Sequence, residues 1–280
     1  MSEPEDYELR REYFEPPSEP RGWSIGWWIV ALIVTVAAAA GIYITVGKRT
    51  VQAPPPPSPL AREQPARPLG GQAEPIVLPP LDESDALVRT LVRALSNRPV
   101  VAAWLASDDL VRKFTAAVSN IAEGVSPGKQ LSTLRPQAGF AVVEKDGKYY
   151  IDPRSYDRYG SVADAVGSID PAGAAKLYAT LKPRIEDAAG ELGVSSGGFD
   201  KVLERAIVAL LRTPIPDGPV QVTPNVEGIG YGFADGRLEG LSAGQKALLR
   251  MGPPNARVVK TKLREIAIAL GVPAAKLPAE

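Results

Sequence analysis

The chain has 280 residues, and its 32 lysines and arginines balance its 32 aspartates and glutamates. That length suits one or two domains, and the balance argues against a general nucleic-acid binder, which carries a basic excess. Cysteine and histidine are both absent, which excludes disulfides, thiolate zinc sites, cysteine nucleophiles, histidine bases and Ser–His–acid triads. No catalytic residue, metal site or cofactor is expected. An enzyme here would need paired carboxylates, a Ser–Lys pair or a hard cation held by oxygen ligands.

Residues 1–22 form the first segment. Its seven acids, the bases Arg10, Arg11 and Arg21, and prolines at 4, 16, 17 and 20 read as a disordered tail. Ser24 to Val46 then runs for 23 residues without a charged side chain. At the helical rise this is roughly 34 Å, enough to cross a hydrocarbon core of about 30 Å. Residues 23–47 are therefore predicted to form one transmembrane helix, with the lipid bilayer as its partner. Trp23, Trp27 and Trp28 mark one membrane boundary and Tyr43 the other. The acidic flank and the length of the apolar run favour an anchor over a cleaved leader, although Ala37 to Ala40 offers small residues. Ala37 and Gly41 make a small-xxx-small pair, which allows a weak homodimer through the span.

The basic residues flanking the span nearly tie, with Arg10, Arg11 and Arg21 before it and Lys48, Arg49 and Arg62 after it. Architecture breaks the tie. A short tail, one span and a long spacer suit a cytoplasmic tail with the remainder outside. Residues 48–80 are that spacer, with ten prolines between Thr50 and Pro80. Fully extended in polyproline II this stretch reaches roughly 95 Å, with a flexible joint at Gly70-Gly71. A rival reading of Pro54 to Pro59 is a ligand for an SH3-like partner.

Residues 81–280 are long enough to bury one core, and their periodicity is mainly helical. Asp82 or Ser84 is expected to cap a helix bearing Leu87, Leu91, Ala94 and Leu95. Pro99 opens a short helix with Val100, Val101, Trp104 and Leu105. Ser107, Asp108 and Asp109 start another, with Leu110, Phe114, Ala117, Val118 and Ile121 on one face and Gly124 as its stop. Phe140 to Asp152 alternates around Asp146-Gly147, which predicts a β-hairpin with a type I′ turn. Helix resumes at Ser161 to Ile169. Asp170-Pro171 starts a longer helix to Glu191, with Pro183 expected to kink it. Gly197-Gly198 precedes a helix carrying Val202, Leu203, Ala206, Ile207, Leu210 and Leu211. Val220 to Pro224 and Ile229 to Ala234 read as short strands. Ser242 and Gln245 form a capping box, and Asn255 to Leu270 is the last helix, with Val259, Leu263, Ile266 and Leu270 inward. The fold class is mainly α: a transmembrane helix, a proline-rich tether, then a helical domain with one small hairpin and short extra strands.

Four stretches carry a resemblance. LPPLDESDALV (78–88), YDRYGSVADAVGSID (156–170), FDKVLERAIVALLRTP (199–214) and LSAGQKALLRMGPPNARVVKTKLREI (241–266) resemble a family of bacterial envelope proteins known as domain of unknown function 3014. The likeness spans Leu81 to Ile268. It implies a bacterial single-span protein with a helical C-terminal domain; the architecture, rather than the likeness, then places the anchor in the inner membrane and the domain in the periplasm. It supplies no catalytic residues.

Two polar patches are candidate sites. Lys148 to Gly160 crowds four of the nine tyrosines among Asp and Arg. Tyr150, Arg154, Tyr156, Asp157, Arg158 and Tyr159 could stack on a sugar or grip a carboxylate or phosphate. The structural alternative packs the tyrosines under the hairpin and uses Asp–Arg pairs to fasten a loop. Arg257, Lys260 and Arg264 share a helix face, which suits an acidic partner or anionic head groups, or equally a solvated surface. The acids of Leu81 to Asp85 lack the spacing of a calcium loop and suit a helix N-terminus. Gly228-x-Gly230-x-Gly232 lacks the strand–helix context of a nucleotide loop.

Two functional readings follow. The first is an interaction or scaffold module held away from the inner membrane, contacting an envelope protein or a cell-wall polymer. The second is a carboxylate-based glycan hydrolase or a glycan-binding protein, which needs acids roughly 5–9.5 Å apart in a cleft for hydrolysis.

Overall fold

A computed structural model describes residues 68–195, 198–225 and 230–279. The description concerns the compact unit that ends at residue 280 and takes in the described residues from 68 on. The predicted span, the Ala37–Gly41 pair and most of the tether lie outside the described residues. Among the described residues, no helix is long and apolar enough to cross a membrane.

The domain is mainly helical with one small antiparallel sheet. Three helices open it: α1 (Asp85–Leu95), α2 (Pro99–Leu105) and α3 (Leu110–Ala122). A hairpin follows, β1 (Val142–Lys145) and β2 (Lys148–Ile151), turning through Asp146 and Gly147 at φ 53° and 69°. Positive φ at both turn positions is the requirement of a type I′ turn. The short α4 (Arg154–Asp157) and α5 (Gly160–Gly167) lead to α6 (Pro171–Glu191), which runs through Pro183. Asp170 caps α6 by accepting from the backbone N–H groups of Ala172 and Gly173. After α7 (Phe199–Leu211) come β3 (Gln221–Pro224) and β4 (Tyr231–Phe233). The chain then forms α8 (Gly236–Glu239), α9 (Ala243–Arg250) and α10 (Pro253–Leu270). The capping box on α9 has both of its bonds: Gln245 N–H to Ser242 Oγ at 3.3 Å and Ser242 N–H to Gln245 Oε1 at 3.2 Å.

The sheet order is β1-β2-β3-β4, with every neighbour antiparallel. The expected hairpin and the short strands that follow it join into one sheet where Tyr149 pairs Val222. Tyr149, Ile151, Val222 and Phe233 then share an apolar face that is closed by Leu249 of α9. The main core is helical. In it α3 packs on α6 and α7, and α10 packs on α5, α6 and α7. Phe199 is wholly buried there, tilted against Phe114 with ring centroids 6.3 Å apart.

Two expectations shift. The inner stripe of α1 is Val88, Leu91, Val92 and Leu95, with Ala94 exposed. Ser84 also does not cap α1 with its side chain; its hydroxyl donates to the carbonyl of Leu81 at 2.7 Å. The folded region also begins before Leu81. Leu69 is buried in the helical core and its N–H donates to Asp200 Oδ2 at 3.1 Å. Gly70 N–H reaches the carbonyl of Leu270 at 2.9 Å. Gly70 therefore serves as a docked corner. Its φ is +91°, and a Cβ there would lie 2.9 Å from the carbonyl oxygen of Ala175.

Candidate functional site

The tyrosine patch does not assemble into one concave site. Its members divide between two hydrophobic clusters. Tyr156 packs against the sheet cluster of Ile151, Val220 and Phe233, and burial pushes its hydroxyl above the ordinary tyrosine range. Tyr159 packs against Ala163, Leu248 and Met251. Tyr150 pairs Val143 and Gln221 in the sheet, on the face opposite Tyr149 and Ile151. Asp157 is exposed.

The charged members are bound locally. Asp152 is enclosed, and its carboxylate accepts from Arg154 Nε at 3.0 Å and from the terminal guanidinium nitrogen at 2.5 Å. Those bonds hold Asp152 below the usual carboxylate range and raise Arg154. Arg158 lies over the rings of Phe140 and Tyr159, 5.2 Å and 5.0 Å from their centroids. Asn255 fastens the region to α10, donating to the backbone carbonyls of Tyr156 and Met251 at 2.9 Å each.

The basic face is different, because the fold brings its members to one cleft. Arg257, Lys260, Thr261 and Arg264 line a half-open cleft of about 320 Å³, with Leu211, Ile215 and Ala279 completing it. Lys260 Nζ donates to the carbonyl of Thr213 at 2.6 Å, and Arg264 donates to the carbonyl of Pro278 at 2.5 Å. Burial, with repulsion from Arg264 as the smaller cause, pushes Lys260 below the ordinary lysine range. An anion in the cleft offsets that repulsion, so its binding and the protonation of Lys260 reinforce each other.

A second, half-open concavity of about 440 Å³ is walled by the helices of the core. Val92 of α1, Trp104 of α2, Phe114 of α3, Leu181 of α6, Leu203 of α7 and Ile266 of α10 are among its walls. Among the described residues, none that lines it is charged. Sequence reasoning treated these walls as ordinary core stripes. The pairing of small Ala174 and Ala206 with long apolar neighbours is the one local signal of unfilled space.

Among the described residues, neither concavity is lined by an aspartate or glutamate, and none of the six tyrosine-patch residues lines either. Among the described residues, no group of three or more Asp or Glu is placed to hold a metal ion.

A family model matches residues 110–267, from the start of α3 into α10. The chain belongs to the family described as protein of unknown function (DUF3014). The match begins at Leu110, so the motif at 78–88 precedes it. Arg257, Lys260 and Arg264 fall within the DUF3014 match, as do the cavity walls from α3, α6 and α7. No curated protein and no solved structure matches the chain.

Proposed function

We propose that this DUF3014 protein is a single-pass protein of the bacterial inner membrane whose helical domain is a binding module in the periplasm. Residues 23–47 anchor it and the proline-rich stretch after them holds the domain away from the lipid. The domain takes an acidic partner, a wall polymer or an envelope protein, at the cleft of Arg257, Lys260 and Arg264. The observation that carries this reading is the convergence of Arg257, Lys260 and Arg264 on one cleft. Glycan hydrolysis needs two acids facing a cleft roughly 5–9.5 Å apart. Among the described residues no acid lines either concavity, which favours binding over hydrolysis.

The test is a photo-crosslinking residue at Thr261, inside the cleft. It is placed in the full chain and irradiated in intact cells. The reading expects an adduct with an envelope protein or wall fragment, weakened by Arg257→Glu. Capture of cytoplasmic proteins alone would contradict both the partner and the compartment. A reporter fused to the C-terminus fixes sidedness independently.

A further inference from the structure

The last stretch of the proline-rich spacer lies on the folded domain. We propose that residues 69–78 form a latch, a strap that opens from the domain and recloses while the helical core stays folded. What the opening serves rests on the anchored reading above; the latch itself does not.

The strap forms no helix or strand, so it is held by what it touches. The Leu69 N–H donates to Asp200 of α7 at 3.1 Å, and the Gly70 N–H donates to the carbonyl of Leu270, at the end of α10, at 2.9 Å. The Glu74 N–H donates to Thr180 Oγ1 of α6 at 3.1 Å, and its carboxylate pairs with Lys176 one turn earlier. Leu69 is buried, and Leu78 packs half-buried against the same core. Between these anchors Gln72, Ala73, Pro75, Ile76 and Val77 are exposed, Val77 at 95%. A segment with few apolar contacts and a solvent-facing backbone belongs to the low-stability end of a fold.

The bed survives release. Asp200 keeps the Tyr178 hydroxyl at 2.6 Å and the Lys182 ammonium at 2.5 Å, so losing one N–H leaves no bare carboxylate. The Leu270 carbonyl belongs to the last turn of α10, where water completes such groups. The Thr180 hydroxyl sits on a helix and can turn to a carbonyl one turn back. The surface under Gly70 is made by Ala175 and Ala179. Each polar group thus keeps a partner or meets water when the strap leaves. Opening adds ten residues to the spacer, roughly 31 Å in polyproline II. A pull along the spacer loads Leu69 and Gly70 first, so the reach lengthens before the core is strained.

The experiment is amide hydrogen exchange on the full chain in detergent-free native-membrane discs, read residue by residue. The amides of Leu69, Gly70 and Glu74 are expected to share one protection factor, at least about a hundredfold below those of Leu203 and Ile207 in α7. Their exchange should depend little on urea, because the opening exposes little surface. Gly70→Ala is strained at φ +91° and crowded by Ala175 and Ala179. It should speed exchange at Glu74 at least about tenfold and leave α7 unchanged. Leu69→Ala serves the same purpose if that variant fails to fold. The chain has no native cysteine, so spin labels on Ala73→Cys and Lys201→Cys read the opening as a distance. The distribution should be narrow in the parent chain and gain longer, broad distances with Gly70→Ala. Strap protection equal to that of α7 would overturn the latch. So would a Gly70→Ala chain in which α7 speeds equally, Glu74 is unaffected or the distances do not change.

Discussion

At Gly252 a single atom decides how the tyrosine patch is used. The residue sits at φ +81° where α10 begins, and a Cβ there would lie 2.2 Å from Cγ of Tyr156. No side chain fits that approach, and the left-handed backbone adds strain. Gly252→Ala is expected to cost about 2–4 kcal/mol in urea unfolding. Shortening the ring with Tyr156→Ala in the same chain should recover part of that loss, since contacting residues couple. Strict additivity of the two substitutions would show that the ring is not what Gly252 accommodates. Tyr156 is thus a packing residue, and Arg154 and Arg158 beside it are committed to neighbours. Arg154 has an 84% exposed side chain yet spends its guanidinium on the enclosed Asp152.

At the scale of elements, one turn of α1 organises the corner that follows it. The Asp85 carboxylate accepts from the backbone N–H of Asp109 at 2.9 Å and of Leu110 at 2.8 Å, capping α3 from outside. One turn later, Arg89 donates to the carbonyls of Leu105 at 2.8 Å and Ser107 at 2.9 Å, closing the end of α2. Asp85→Ala should cost about 1–2 kcal/mol, as removal of an N-cap does. Asp85→Asn keeps one acceptor and should cost less; equal losses in chemical denaturation would assign the effect to charge alone. The acids at 81–85 do suit a helix N-terminus, but the helix that Asp85 serves stands beyond the next one in sequence. Local signals were readable wherever both partners lay within one turn. The Asp170 cap, the Ser242–Gln245 box and the Asp146-Gly147 turn are of that kind. The join of β2 to β3 depends on residues far apart in the chain, and no local pattern encodes it. The convergence of Arg257, Lys260 and Arg264 was legible as a helix face. The cleft they line was not, because Leu211 and Ile215 arrive from another element. The cavity was still less legible, since each wall reads as an ordinary core stripe.

For the molecule as a whole, stability should be flat around neutrality and fall in acid. No histidine or cysteine is present, so no side chain is expected to titrate between roughly pH 6 and 8. Asp152, Glu191, Asp235 and Glu239 are each held below their usual values by arginine or lysine partners. A carboxyl whose folded value is depressed adds stability above its unfolded value. It loses that stability as pH falls through the folded one. The thermal midpoint is therefore expected to decline only below the ordinary carboxyl values of 3.8 and 4.5. Arg112, the partner of Glu191, also reaches two further acids: Asp82 at 2.6 Å and Asp109 at 3.2 Å, with Glu191 itself at 2.7 Å. Its partners lie on the surface, so Arg112→Met should cost only about 0.5–1 kcal/mol at neutral pH and less in acid. A midpoint that slopes across pH 6–8 would mean that another ionisation governs the fold.

The binding role turns on the basic cleft, and its most direct measurement is the affinity of the full chain, in membrane discs, for purified acidic wall polymer. Wild type should bind with an affinity that falls as salt rises and as pH climbs toward the depressed lysine value of Lys260, and Arg257→Glu should lose about tenfold or more. Affinity indifferent to salt, to pH and to Arg257→Glu would contradict the assignment of the cleft.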